Sequence, residues 1–402
     1  MSLFFGWVLV GILLFAMYRL PLSYIQLVLL SSVGLCVNIL LSIADYEAYV
    51  VRHVFLSNLI FIAFIFLSKY QRVRPLALFS RANIAIRKLS FFSAIGFIFL
   101  LITYHYSVVG VPFFSANVDV ERFQSASSGM MGIPSRFAGY APALIFIYAS
   151  VLYSSDILSG KVVAVILSIC LTLLVFQGHK SSVAQIILVL IILAPFLNAK
   201  SISAYKYLIS LLIIPGIYFI YLMFSKLTSV ADMEFSVYIL QRLSVISMAP
   251  VIGMYDPDFS PNYVGPFMFV NDLVYPFSMA LGGSIETVNT QLSRHIYGVA
   301  PGNFSVPVTP GMIPYLFKEF GEFGSYFFIA ALGVFASLVF YAAKGANTIS
   351  KRVFIIWLQY VFYIGFTSGN LFYLLPNVLL VYFIFWFFER LFNAIFTEQS
   401  AR

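Results

Sequence analysis

Three short stretches of the sequence set basic side chains among glycine, serine and aromatic residues. The first, 111–139, reads VPFFSANVDVERFQSASSGMMGIPSRFAG and holds Arg122 and Arg136. The second, 178–182, reads GHKSS and holds His179 and Lys180; the third, 291–295, reads QLSRH and holds Arg294 and His295. Arg242 lies in DMEFSVYILQRLSVISMAP, 232–250, which has the pattern of an amphipathic helix lying flat on a membrane, with an acidic first turn and a proline stop. A guanidinium fork meets phosphate oxygens two at a time and a lysine adds a point charge. Several of each converging would hold a diphosphate and stabilise it as a leaving group. His295, next to Arg294, is a candidate for acid/base work.

Each of these residues also has a plainer reading. Arg136, Lys226 and Lys318 could be solvated or acid-paired surface charges, and Lys180 could extend its ammonium to the lipid headgroups. His53 and His105 read as packing residues near the ends of apolar segments. The aromatics Tyr255, Phe259, Tyr263, Phe267, Phe269, Tyr275, Phe277 and Tyr297 could be platforms for sugar rings, a belt at headgroup level, or the core of a folded loop. Asp256-Pro257-Asp258 reads equally as part of a cation site and as turn chemistry. No HExxH, Walker loop or GxSxG is present, which removes the metalloprotease, P-loop ATPase and serine-hydrolase readings.

The elements that must position these side chains are mostly apolar. At 61% hydrophobic and 9% charged, with a mean hydropathy of +0.97, the chain departs far from a soluble globule, where about 25% charged is usual. It reads as an all-α polytopic integral membrane protein with eleven apolar segments, at about 3–18, 22–43, 53–68, 89–109, 140–155, 162–177, 181–198, 207–224, 325–343, 353–368 and 371–388. The N-terminal stretch MSLFFGWVLVGILLFAMYRL has no basic residue before its apolar run, and it is expected to be a first span rather than a removed signal peptide. Cys36 and Cys170 both lie in apolar runs and read as small core residues.

The stretch 69–88 carries six positive charges (Lys69, Arg72, Arg74, Arg81, Arg87, Lys88) and no acid, so the positive-inside rule assigns it to the cytoplasm. Alternation then puts 15 of the 23 basic residues and only Asp156, Glu389 and Glu398 of the 15 acids on that side. This asymmetry was not part of the premise and supports the topology. The basic balance reflects orientation in the membrane rather than a nucleic-acid partner. The outward face receives 110–139 and a loop of 100 residues, 225–324, with nine of the 17 prolines and Phe or Tyr at fifteen positions. A loop that long and that aromatic is expected to fold as a cap. The expected organisation is spans and a short outward loop over 1–224, the cap over 225–324, and final spans with a cytoplasmic tail over 325–402.

In layout, and in the pieces GVPFFSANVDVERF from Gly110, GHKSS from Gly178 and VTPGMIPYLFKEFGEFG from Val308, the chain resembles the O-antigen polymerases (Wzy), the oligosaccharide repeat-unit polymerases. Arg242 to Gly253 matches the Arg-to-Gly spacing described for that family's outward loops, and Arg122 to Gly132 is one residue short of it. The resemblance implies a metal-independent glycosyltransferase of GT-C type, without a cofactor, in the bacterial inner membrane and active at its periplasmic face. It would transfer a growing glycan from undecaprenyl diphosphate to the non-reducing end of a new lipid-linked repeat unit, with a chain-length-determining co-polymerase as partner.

The roles implied by the resemblance are catalytic for Arg122, Arg242, Arg294 and His295, and diphosphate or glycan binding for Arg136, His179, Lys180, Tyr255 and Tyr297. Lys180 stands where the related ligases more usually carry arginine. Asp119, Glu121, Asp256, Asp258, Asp272 and Glu286 are all eligible as the base that takes the acceptor proton. The competing expectations are an O-antigen ligase, a flippase or transporter of lipid-linked sugars, and a non-catalytic scaffold.

Overall fold

The structure is a computed structural model and describes residues 8, 11, 24–41, 47–66, 81–115, 118, 121, 132–178, 182–197, 249–281, 283, 285–299, 308–346 and 348–400. Among these residues the fold is entirely helical. The helices are α1 (Tyr24–Leu41), α2 (Ala48–Phe66), α3 (Arg81–Val109), α4 (Gly132–Ser154), α5 (Gly160–Phe176) and α6 (Ser182–Leu193). They are followed by α7 (Ala249–Tyr255), α8 (Phe269–Ala280), α9 (Val288–Tyr297), α10 (Met312–Gly345), α11 (Ile349–Ser368) and α12 (Leu371–Ser400). Six of them, α2, α3, α4, α10, α11 and α12, are long and apolar enough to cross a membrane. α1, α5 and α6 are apolar as well. The chain is a multi-pass membrane protein.

Each expected segment that falls among the described residues is helical; 207–224, and 3–18 apart from Val8 and Gly11, lie outside them. Several helices begin earlier than expected. α2 starts at Ala48 rather than 53, α3 at Arg81 rather than 89 and α4 at Gly132 rather than 140; α10 runs from Met312, but its helical backbone breaks at Gly321, close to the start expected at 325. In α2, α3 and α4 the added turns carry polar or charged residues, which end an apolar window without ending the helix. Arg136 is thereby moved from the expected outward loop into α4. Pro250 lies within α7 rather than at the end of a helix, and 232–248 of the expected amphipathic segment lies outside the described residues.

α4 is the central helix, buried along almost all of its length. α3 lies against α12 through Phe91 on Phe385 and Phe97 on Phe388. α2 and α10 approach most closely at Gly333, where a Cβ would meet the Phe61 carbonyl oxygen at 2.7 Å, and Ser337 Oγ donates to the Ile65 carbonyl at 2.7 Å. Only glycine permits that separation. The residues that alternation assigns to one face pair with one another. At one end Arg52 meets Glu322 at 3.0 Å; at the other Arg87 meets Glu389 at 3.3 Å, and Ser350 donates to the same carboxylate.

Candidate functional site

Between α6 and α10 the described residues form three short helices, α7, α8 and α9, at the end of the bundle where Arg52 of α2 meets Glu322 of α10. α9 carries Arg294 and His295, and its ends are closely specified. Thr287 caps it by accepting from the Thr290 N–H, Asp272 accepts from the Val288 N–H at 3.0 Å, and Gly298, in left-handed conformation (φ 63°), stops it. Asp272 is fully buried and also accepts from the Tyr315 hydroxyl of α10 at 2.9 Å. Burial pushes its carboxyl up to about 7 in spite of those two hydrogen bonds. Of the eligible bases, Asp272 is therefore a structural tie between α8, α9 and α10.

α7 reaches α9 through Gly253, whose missing side chain leaves room for Leu292 and Ile296; a Cβ there would lie 3.0 Å from both. That approach brings Asp256, just past the end of α7, to His295: Nε2 lies 2.7 Å from Asp256 Oδ2. Asp256 Oδ1 accepts from the Asp258 N–H at 2.9 Å, so Asp256-Pro257-Asp258 is a side-chain-capped turn. The hydrogen bond from His295, then that from the Asp258 N–H, hold the Asp256 carboxyl below its usual range. A carboxylate can only accept, so Nε2 carries a proton, and in the neutral ring the lone pair of a base lies on Nδ1. Lys318 Nζ donates to the Asp256 carbonyl at 2.8 Å, and its ammonium and the His295 ring both lie against Phe259.

His295 opens onto a cleft of about 670 Å³ whose lining includes Asp258, Asn262, Tyr263, Glu286, Gln291 and Arg294. Its wall is built from paired amides. Gln291 accepts from the Asn262 N–H at 2.7 Å and donates to the Asn262 carbonyl at 2.8 Å. Asn271, from α8, accepts from the Val264 N–H at 2.6 Å and donates to the same Asn262 carbonyl at 2.7 Å. Arg294 forms an ion pair with Glu286. The amides are thus spent on the loop's own backbone, and the surface sets the carboxylates of Asp258 and Glu286 beside an exposed aromatic face, Tyr263.

The expected site residues separate clearly. Arg294 and His295 come together at the cleft, whereas Arg122, His179, Lys180 and Arg242 lie outside the described residues. Arg136 is 7% exposed and donates to the Pro276 carbonyl at 3.0 Å, so neither a surface charge nor a ligand of the cleft describes it; it ties α4 to α8. Tyr255 is 4% exposed, with its ring against Phe317 and its hydroxyl 2.6 Å from His53 Nδ1, so it offers no face for stacking. Tyr297 is exposed but does not line the cleft, and Tyr263 takes the position expected of a platform. His53 and His105 are fully buried. Ser325 spends its hydrogen on the Glu322 carbonyl, so His53 Nε2 donates to Ser325 and Nδ1 accepts from Tyr255, a neutral imidazole locked in place.

Sequence reading missed Asn262, Asn271 and Gln291. Uncharged amides carry no distinctive spacing, and their role comes from backbone groups that only the folded loop brings near. Comparison with protein-family models, with curated proteins and with solved structures found no match.

Proposed function

We propose that this chain is a membrane glycosyltransferase that polymerises lipid-linked oligosaccharide repeat units at the outward face, with the GT-C organisation that its resemblance to the O-antigen polymerases implies. The observation that carries the proposal is the pairing of His295 with Asp256 at the edge of an open cleft lined by carboxylates and an exposed tyrosine. In this reading the cleft takes the non-reducing end of the acceptor unit. The acceptor hydroxyl oxygen attacks the anomeric carbon of the growing glycan, and its proton passes to His295 Nδ1. The bond from that carbon to the lipid diphosphate breaks, and its electrons leave with the diphosphate.

The charge of the cleft supports an acceptor role over a diphosphate role. Asp258 and Glu286 outweigh Arg294, which is already paired with Glu286, so a polyanion finds no matching wall there. The diphosphate falls instead to Arg122, Lys180 and Arg242.

The test is product formation. Purified protein in lipid, given undecaprenyl-diphosphate-linked repeat units without nucleotide sugar or added metal, is expected to yield a ladder of longer lipid-linked glycans. His295→Gln should slow the ladder about 100-fold or more, the usual worth of a general base. Asp256→Asn should slow it less. An intact pool of single units with folded wild-type protein, or a ladder indifferent to His295→Gln, would overturn the assignment. Transfer of finished polymer to a core glycolipid, with no ladder, would indicate a ligase.

A further inference from the structure

A second cavity, of about 320 Å³, lies away from the cleft and is lined by α1, α2, α7, α11 and the start of α10. Along α2 its lining begins five residues beyond His53, about 7.5 Å further into the bundle at helical rise, with Asn58. Asn58 is fully buried in a helix long and apolar enough to cross a membrane, where a polar group without a partner is costly. Its Nδ2 donates to the Val54 carbonyl at 2.9 Å. That acceptor fixes the orientation of the amide, so Oδ1 is the atom left over, and it has no partner. Ser32 Oγ, on α1 and 2% exposed, has none either.

Facing them is the N-terminus of α10. Gly311, in left-handed conformation (φ 83°), starts the helix, and Met312 and Ile313 line the cavity. The first turn of a helix presents N–H groups with no intrahelical acceptor and a partial positive charge. Thr309 and Thr367 complete the polar lining.

These groups define the ligand. The helix terminus calls for an acceptor, and Asn58 Oδ1 calls for a donor. A deprotonated phosphate satisfies the first and is repelled by the second, and no basic side chain of the described lining would neutralise it. A metal cation would meet Asn58 favourably and the helix terminus unfavourably. A hydroxyl satisfies both. The volume is that of a small head rather than an extended glycan, and the walls of a membrane bundle favour a ligand that brings an apolar tail. We propose that this cavity binds the uncharged, hydroxyl-bearing head of a lipid. The assignment is independent of the transfer reaction read from the cleft.

Gly34 supplies the test, because it lines the cavity and has nothing within 4 Å of the place a Cβ would take. Gly34→Cys protein in phosphatidylcholine nanodiscs would be treated with N-ethylmaleimide, with wild type, whose Cys36 and Cys170 are buried, as background. The introduced thiol is expected to react, and dodecyl glucoside is expected to protect it where dodecyl phosphate does not. Asn58→Leu added to that variant should weaken protection about tenfold, the effect of one buried hydrogen bond. Ser32→Ala, a single-atom deletion, serves as the second variant should Asn58→Leu fail to fold, and should weaken protection in the same direction. Absence of labelling would mean a closed, dry void. Labelling without protection would mean water alone. Protection by dodecyl phosphate, or protection that survives the loss of Asn58 and of Ser32, would mean a different ligand or place; each of these outcomes overturns the proposal.

Discussion

Arg294 illustrates how a charged residue at a cleft divides its work. Its side chain is 14% exposed and that of Glu286 33%, so the pair stands partly in solvent and is screened accordingly. Removing either partner deprives the other, partly buried charge of this contact, which is expected to cost about 1–2 kcal/mol, less than the cost at a fully buried pair. Arg294→Met and Glu286→Gln should each lower cap stability by that amount, and the double variant should lose less than the sum. Thermal unfolding of the four proteins measures the coupling; strictly additive losses would remove the ion pair from the account of the site. The polymerase reading makes a separate claim on Arg294, since a residue occupied by Glu286 positions the wall of the acceptor cleft and leaves the diphosphate to other cations.

At the scale of elements, α10 carries the largest backbone departure among the described residues of the helices. Gly321 has φ 69° and ψ −174°, and the helix kinks there. Nothing lies within 4 Å of where its Cβ would be, so Gly321→Ala meets no steric neighbour and pays only in backbone conformation, about 1–2 kcal/mol. A drop in melting temperature with unchanged cleft chemistry is expected; an unchanged melting temperature would mean that the kink relaxes. The kink also explains what was legible in advance. Apolar windows located the interiors of α2, α3, α4 and α10, because lipid-facing composition is written in the residues themselves. Their outward ends were not legible. Arg52, Arg136, Lys318, Glu319 and Glu322 interrupt the apolar pattern, yet the helices continue through them because the cap or a neighbouring helix supplies partners, such as the Pro276 carbonyl for Arg136 and the Met268 N–H for Glu319. Similarly, the arginine and histidine of QLSRH could be picked out by type. The partner of His295 could not, since Asp256 lies 39 residues away and is brought over by the packing of Gly253 against α9.

For the whole molecule, the buried Asp272 makes stability depend on pH in a stated direction. Its carboxyl titrates near 7 in the folded protein against an ordinary value of 3.8, because burial disfavours the charged form. Between those values the folded protein holds a proton that the unfolded chain has released, so stability falls as pH rises from about 4 to 7 and is flat beyond. The full loss is of order 4 kcal/mol at 1.36 kcal/mol per unit. Asp272→Asn keeps an acceptor for the Val288 N–H and has no proton to lose. Unfolding midpoints compared at pH 5 and pH 8 should differ for the wild type and nearly coincide for the variant; equal slopes in the two proteins would assign the dependence to another group.

α10 also bears on how such proteins could be recombined. Before Gly321, Tyr315, Lys318 and Glu319 hold Asp272, the Asp256 carbonyl and the Met268 N–H; after it, Ser325, Gly333 and Ser337 fit His53, Phe61 and Ile65 of α2. Two helical segments joined at the Gly321 kink thus make one element that both walls the α7–α9 region and is long enough to cross a membrane. The cap is therefore not an exchangeable cassette with a seam at residue 324: a chimaera joined there would inherit the grip of one parent and the anchor of another. A junction that respects the molecule falls before Met312 or after Gly345, so cap and span α10 travel together.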